Sequence, residues 1–313
     1  MSDNLNNYRI DRVQGVKVMD GIISILKPPG MTSHDVVGYI RKHFKEKKVG
    51  HTGTLDPNAV GVLPICIGKA TKVVDYIMED LKTYRAELTF GSSTDTQDRY
   101  GETISQSDYL PSEEEIRSIL PQFLGEYWQE PPMYSALKVN GKKLYELARE
   151  GIEIERKKRK IYIYNIDIIS ISHDKIMIDV ICSKGTYIRT LCYDIAKALG
   201  TEGHMSFLIR IGTGNYTLEK SYLLDELDQM DIETFTKKLL PIESALTKYE
   251  IIHVPEESFS LITNGGRIRL PGIEEIDEQQ IFRVYCKGIF LGLGSLSKSE
   301  FGNTIIKLDK KMI

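Results

Sequence analysis

A chain of 313 residues that is 41% hydrophobic and 27% charged can bury a substantial core and divide into a large and a small folding unit. It has no run of 18 or more apolar residues, and its polar start, MSDNLNNYRIDRVQG, lacks the apolar stretch of a secretory signal, so a soluble cytoplasmic protein is expected rather than a membrane or exported one. The net charge of −3 argues weakly against a nucleic-acid partner; basic clusters at 41–48, 156–160 and 264–270 argue the other way, because phosphate responds to local charge.

Residues 1–19 read as a flexible leader. GIISIL then makes a short apolar strand, which the Lys27-Pro28-Pro29-Gly30 turn ends. Thr32 and Asp35 have capping-box spacing, and Val36, Val37, Ile40 and Phe44 fall on one helical face behind them. A second helix is expected near Ala70, after Gly68. KTYRAELTFG alternates, with Tyr84, Ala86, Leu88 and Phe90 on the face of a half-buried strand that turns inward. Ser112 and Glu115 cap a further helix, and GKKLYELAREG is a short one closed by Gly151. Residues 161–171 and 175–182 have β-branched strand composition.

From Tyr187 to Leu199, the residues Ile188, Leu191, Cys192, Ile195 and Leu199 repeat at helical spacing, with Arg189 off that stripe in the first turn. Beyond about residue 250 the pattern becomes short strands and glycine turns, joined to the rest through Pro241 to Pro255. The expected architecture is α+β: a catalytic domain with a mixed, largely antiparallel sheet over 20–249, and a small β-rich domain over 250–313.

Several common chemistries fail on spacing. The four cysteines form no C-x-x-C and share no metal-like spacing with the six histidines, so buried free thiols are expected and no metal site. GVLPICIGKAT pairs Gly68 with Lys69 as a phosphate loop would, but Leu63 stands where the first glycine belongs and Ala70 replaces the hydroxyl residue. GLGSLS lacks the third glycine of a dinucleotide fingerprint.

What stands out is GHTGTLDPNAVGVLPICIGKATKV, residues 50–73, in which Asp56 is the one acid. Asp-Pro commonly starts a turn, and the side chain can simply bond the backbone beyond it. Glycine and small hydroxyl neighbours also let a backbone approach a ligand with a carboxylate projecting from the loop. The residues alone leave both readings open.

This stretch resembles the catalytic motif of the bacterial tRNA pseudouridine synthase B (TruB) family. The resemblance continues, in the same order, through LKPPGMTSHDVV, YRAELTFGSSTDTQDRYGE, PPMYSALKVNGKKLYELAREG, SKGTYIRTLCYDIAKALG and HMSFLIRIGTGNY. It implies conversion of uridine 55 in the tRNA T loop to pseudouridine by base flipping, with no cofactor, no metal, no obligate protein partner and a monomeric enzyme. It also implies that Asp56 is the catalytic aspartate, Tyr84 an active-site tyrosine, and Arg189 the arginine paired with the aspartate. His51, Tyr187, Leu208 and Lys27 match positions around the flipped nucleotide, and the C-terminal piece resembles an RNA-binding PUA-type module. Two other readings remain: the same chemistry on another RNA, and a non-catalytic tRNA-binding factor. Asp56 speaks against the second, because binding alone gains little from a carboxylate facing phosphates.

Overall fold

The computed structural model describes residues 12–13, 16–17, 19–139, 141–272 and 277–313. The leader expected over 1–19 lies mostly outside the described residues; Arg12–Val13 pairs with Val16–Lys17, and Met19 is already buried in the core.

In chain order the elements that build the site are β1 (Gly21–Lys27), α1 (Ser33–His43), β2 (Val49–His51), β3 (Val60–Ile67), β4 (Lys82–Phe90), β5 (Gly125–Gln129), β6 (Arg159–Ser172), β7 (Lys175–Cys182), α2 (Ile188–Ala198) and β8 (Gly203–Thr213). They share one nine-stranded sheet in the order β1-β3-β8-β4-β7-β6-β5, with β2 beside β3 and Tyr216–Thr217 beside β8. Every pairing is antiparallel except the short β3–β8 contact, where Ile209 faces Val60 and Arg210 faces Gly61. Pro64, which has no N–H to give, falls where the edge of β3 changes partner from β8 to β2, and its carbonyl accepts from the Thr52 N–H.

Burial follows the alternation. Ala86 and Leu88 of β4, Ile176, Ile178 and Val180 of β7, and Met205 and Leu208 of β8 form one core with Ile188, Leu191, Cys192, Ile195 and Ala196 of α2. The other end of the sheet packs on α1, whose Val36, Val37 and Ile40 meet Ile23, Ile25, Leu63 and Ile65. The Thr32–Asp35 capping box starts α1 as its spacing predicts. All four cysteines are free and buried.

The helix expected near Ala70 is instead a 3₁₀ segment, Gly68–Val73, followed by a short α-helix, Val74–Met78. Gly68 sits at φ +61°, the Lys69 N–H is taken by Asp20, and the β-branched Thr71, Val73 and Val74 disfavour a longer α-helix.

A second, five-stranded sheet is built from β9 (Glu250–His253), β10 (Ile268–Arg269), β11 (Ile281–Cys286), β12 (Ile289–Lys298) and β13 (Thr304–Lys311), in the order β9-β11-β12-β13-β10. It is not detached from the first: Leu293 and Met312 are buried in one cluster with Ile22, Cys66, Val73 and Ile77.

Candidate active site

Asp56 lies on the loop between β2 and β3, fixed on both sides. The backbone of Leu55 bonds the Ser33 hydroxyl, with its N–H at 2.9 Å, and the carbonyl of Pro57 accepts from the Gly30 N–H (3.0 Å) and from Lys27 Nζ (2.9 Å). Lys27, fully buried, also donates to the carbonyls of Pro28 and Met31. Three carbonyls stand in for a counter-ion, and burial pulls its pKa down to about 8 against the opposing pull of Asp56. The KPPG turn is thus a clamp on the Asp56 loop.

Opposite stands Arg189. Its Nε is 2.9 Å from Asp56 Oδ2 and an Nη is 3.3 Å from Oδ1, a side-on fork on one carboxylate. Two further N–H groups go to the carbonyls of Thr96 (3.0 Å) and Tyr134 (2.9 Å). The arginine side chain is 5% exposed and the aspartate 41%, so the cation is sealed behind the site while the carboxylate stays open to an incoming group. Its place off the apolar stripe of α2 does not put Arg189 on the surface, because the loops at 94–98 and 131–135 fold over it. Those loops are themselves pinned, through the Thr190 hydroxyl to Gln97 (2.8 Å) and Tyr134 Oη to Asp95 (3.2 Å).

Tyr84 packs against the apolar floor that includes Leu55, Ala59, Ala86 and Leu208. Burial raises its pKa, and the nearby Arg210 cation opposes without cancelling this. At neutral pH Tyr84 is a phenol. Tyr187 caps α2, held by a two-way amide bond in which its N–H donates to Gln129 (2.8 Å) and its carbonyl accepts from Gln129 (3.0 Å). His51 ends β2; the Gly53 N–H donates to its Nδ1, so a neutral ring carries its proton on Nε2. Burial, then Arg210 and His34, lower its pKa, which keeps it neutral at physiological pH.

The structure therefore joins Asp56 to Arg189 directly, Lys27 to the Asp56 loop, and Tyr84 and Leu208 to the apolar floor beside it. Arg210, 1% exposed, is the residue not singled out from the sequence. Its signal was present: alternation from Leu208 puts an arginine on the same inward face. A separate cleft of about 390 Å³, lined in part by Gln97, Trp128, Arg156, Thr190 and Asp194, contains neither Asp56 nor Tyr84. Among the described residues, no three His, Cys, Asp or Glu side chains gather to hold a metal, and no helix is long and apolar enough to cross a membrane.

Solved structures share this architecture. A Cbf5-Nop10-Gar1 complex matches with a TM-score of 0.74 at 28% identity, over 94% of this chain and 85% of that one; an H/ACA RNP bound to a substrate RNA containing 2′-deoxyuridine matches with 0.71 at 25%, over 95% and 86%. The fold is that of a pseudouridine synthase. Residues 41–188 match the TruB family pseudouridylate synthase N-terminal domain, and 189–247 the tRNA pseudouridylate synthase B C-terminal domain. Proteins named tRNA pseudouridine synthase B from Clostridium acetobutylicum and Alkaliphilus oremlandii are 50% and 48% identical over 294 residues, 93% of this chain and 99% and 97% of theirs. The chain belongs to the TruB family.

Proposed function

We propose that the protein isomerises uridine 55 in the T loop of tRNA to pseudouridine, with Asp56 as the group that acts at the ribose. The observation that carries this reading is the half-open Asp56 carboxylate forked by a sealed Arg189. The reaction breaks the bond from C1′ to N1, forms one from C1′ to C5, gives N1 a proton and removes the one on C5, with no net redox change. Attack at C1′, attack at C6 and proton abstraction at C2′ all begin with an ionised carboxylate beside the nucleotide. A fixed guanidinium favours that charged form against the burial a docked nucleotide imposes.

A stacked uridine cannot offer C1′ and C5 to one pocket, so it must leave the stack, at a cost of about a few kcal/mol. Tyr84 and Tyr187 supply aromatic surface for the extruded base, Leu208 an apolar floor, and His51 a neutral donor beside the vacated stack. Tyr84 also suits proton transfer at C5. The exposed Arg267 and Arg269 suit phosphate contact by the C-terminal sheet as a PUA-like module.

Relatives of near-equal length named for tRNA favour tRNA over a guide-directed RNA, and the reading is of a cytoplasmic monomer needing no protein partner, cofactor or metal. Mapping pseudouridine in total RNA from a strain lacking the gene tests it: loss at position 55 of tRNA alone is expected, and loss confined to ribosomal RNA overturns it.

A further inference from the structure

We propose that Gln129 is a positioning residue of the isomerisation: its buried side-chain amide grips the main chain of Tyr187 from both sides, fixing where α2 starts and so where Arg189 meets Asp56. The inference rests on the functional reading above and adds to it a residue that acts through the backbone of another.

Gln129 is the last residue of β5, opposed to Arg159 on β6, and is 2% exposed. Its Oε1 accepts the Tyr187 N–H at 2.8 Å, and its Nε2 donates to the Tyr187 carbonyl at 3.0 Å. A strand partner holds a residue in the same way, through N–H and C=O together. The segment that follows Gln129 grips α2 a second time, because the Tyr134 carbonyl takes an Nη of Arg189 at 2.9 Å. That segment is itself held to the Leu144–Arg149 helix, by a 3.1 Å bond from the Tyr145 N–H to the Ser135 carbonyl.

At Tyr187 the chain passes from extended to helical: the residue lies at φ −98° and ψ 107°, and Ile188 is the first of α2. Among the described residues Tyr187 makes no side-chain cap for that helix. Two bonds from one planar amide restrain both of its backbone torsions, and with them the direction in which the first turn sets out. Arg189 lies in that turn, its side chain 5% exposed and its Nε 2.9 Å from Asp56 Oδ2. A tilt at Tyr187 therefore moves the fork across the carboxylate.

Satisfying a buried carbonyl does not account for the arrangement. The Tyr187 carbonyl already accepts the Leu191 N–H at 3.0 Å, so the bond from Gln129 is a second one on the same oxygen. What it adds is direction. An apolar side chain of similar volume would fill the same space without holding either torsion.

The test is single-turnover tritium release by the full chain from tRNA labelled at uridine C5, with tRNA binding and urea unfolding measured on the same preparations. Gln129→Met keeps length and volume and loses both bonds. It is expected to release tritium roughly 10- to 100-fold more slowly, the scale of a misplaced reacting group, with tRNA affinity changed less than about threefold. A merely structural role would lower the urea midpoint and leave the rate of the folded protein alone. In an Arg189→Lys background the same substitution should cost less than about threefold, since the fork it orients is gone. Equal losses in both backgrounds, or a normal rate for Gln129→Met, overturn the inference. Should Gln129→Met not fold, Gln129→Asn keeps the amide but is one methylene too short to span both groups, and an unchanged rate there overturns it too. An active Asp56→Asn would instead defeat the underlying reading; a dead Asp56→Asn beside a normal Gln129→Met defeats only this one.

Discussion

Asp56 and Arg189 are 133 positions apart, yet five heteroatoms meet around them: two carboxylate oxygens, two guanidinium nitrogens and the Tyr134 carbonyl. A lysine at 189 could supply charge but not the fork that also reaches Thr96. Arg189→Lys should therefore slow turnover by about 100-fold while leaving tRNA binding nearly intact, and a near-normal single-turnover rate would contradict the pair. Lys27 makes a stability prediction with a definite sign. Lys27→Met strands buried carbonyls and should lower stability by at least about 1–3 kcal/mol. The unfolded lysine holds its proton up to its ordinary 10.5 and the folded one only to about 8. Between those values the unfolded chain binds more protons, so the lysine's contribution grows with pH. Urea unfolding at pH 8 and pH 10 should show the gap between wild type and Lys27→Met widening; a narrowing gap would be inconsistent with a depressed lysine. Asp56 stood out as the one acid of residues 50–73, but an Asp-Pro turn accounts for such a residue equally well, and its assignment to the site came from the family resemblance. The partners of Arg210 were harder to see, since they are the Val62 and Gly53 carbonyls contributed by distant segments, and no spacing encodes them.

At the scale of elements, β4 and β7 were readable from alternation and α1 and α2 from helical spacing, because each buries one face, whereas β8 was not read as a strand. The 68–73 segment was not, because its conformation is decided by Asp20, far away in sequence. The β3–β8 contact was also invisible: parallel pairing over two residues leaves no pattern. It depends on Gly61, where a side chain would strike the Arg210 backbone. Gly61→Ala should destabilise by about 1–3 kcal/mol or more and slow turnover as well, since β3 carries the far end of the Asp56 loop. Thermal unfolding with tritium release checks this, and an unaffected melting temperature would mean that the strands can part without loss.

Across the whole molecule, the β-rich C-terminal sheet was foreseen as a separate RNA-binding piece, but Leu293 and Met312 also cover Ile22, Cys66 and Ile77. Cutting the chain near residue 250 should thus lower stability together with affinity, and is a poor test of RNA contact. Arg267→Ala and Arg269→Ala leave that cover in place. If both touch phosphate, each should reduce the salt dependence of tRNA binding by about one unit of slope, and an unchanged slope removes them from the interface. The 156–160 cluster is less available than its charge suggests, because Arg156 pairs with Glu130 and Glu153, and Lys160 with Glu126. The most direct measurement is tritium release from C5-labelled tRNA by Asp56→Asn, with binding measured on the same preparation: affinity close to wild type with no release is predicted, and turnover at a measurable fraction of the wild-type rate would contradict the central claim.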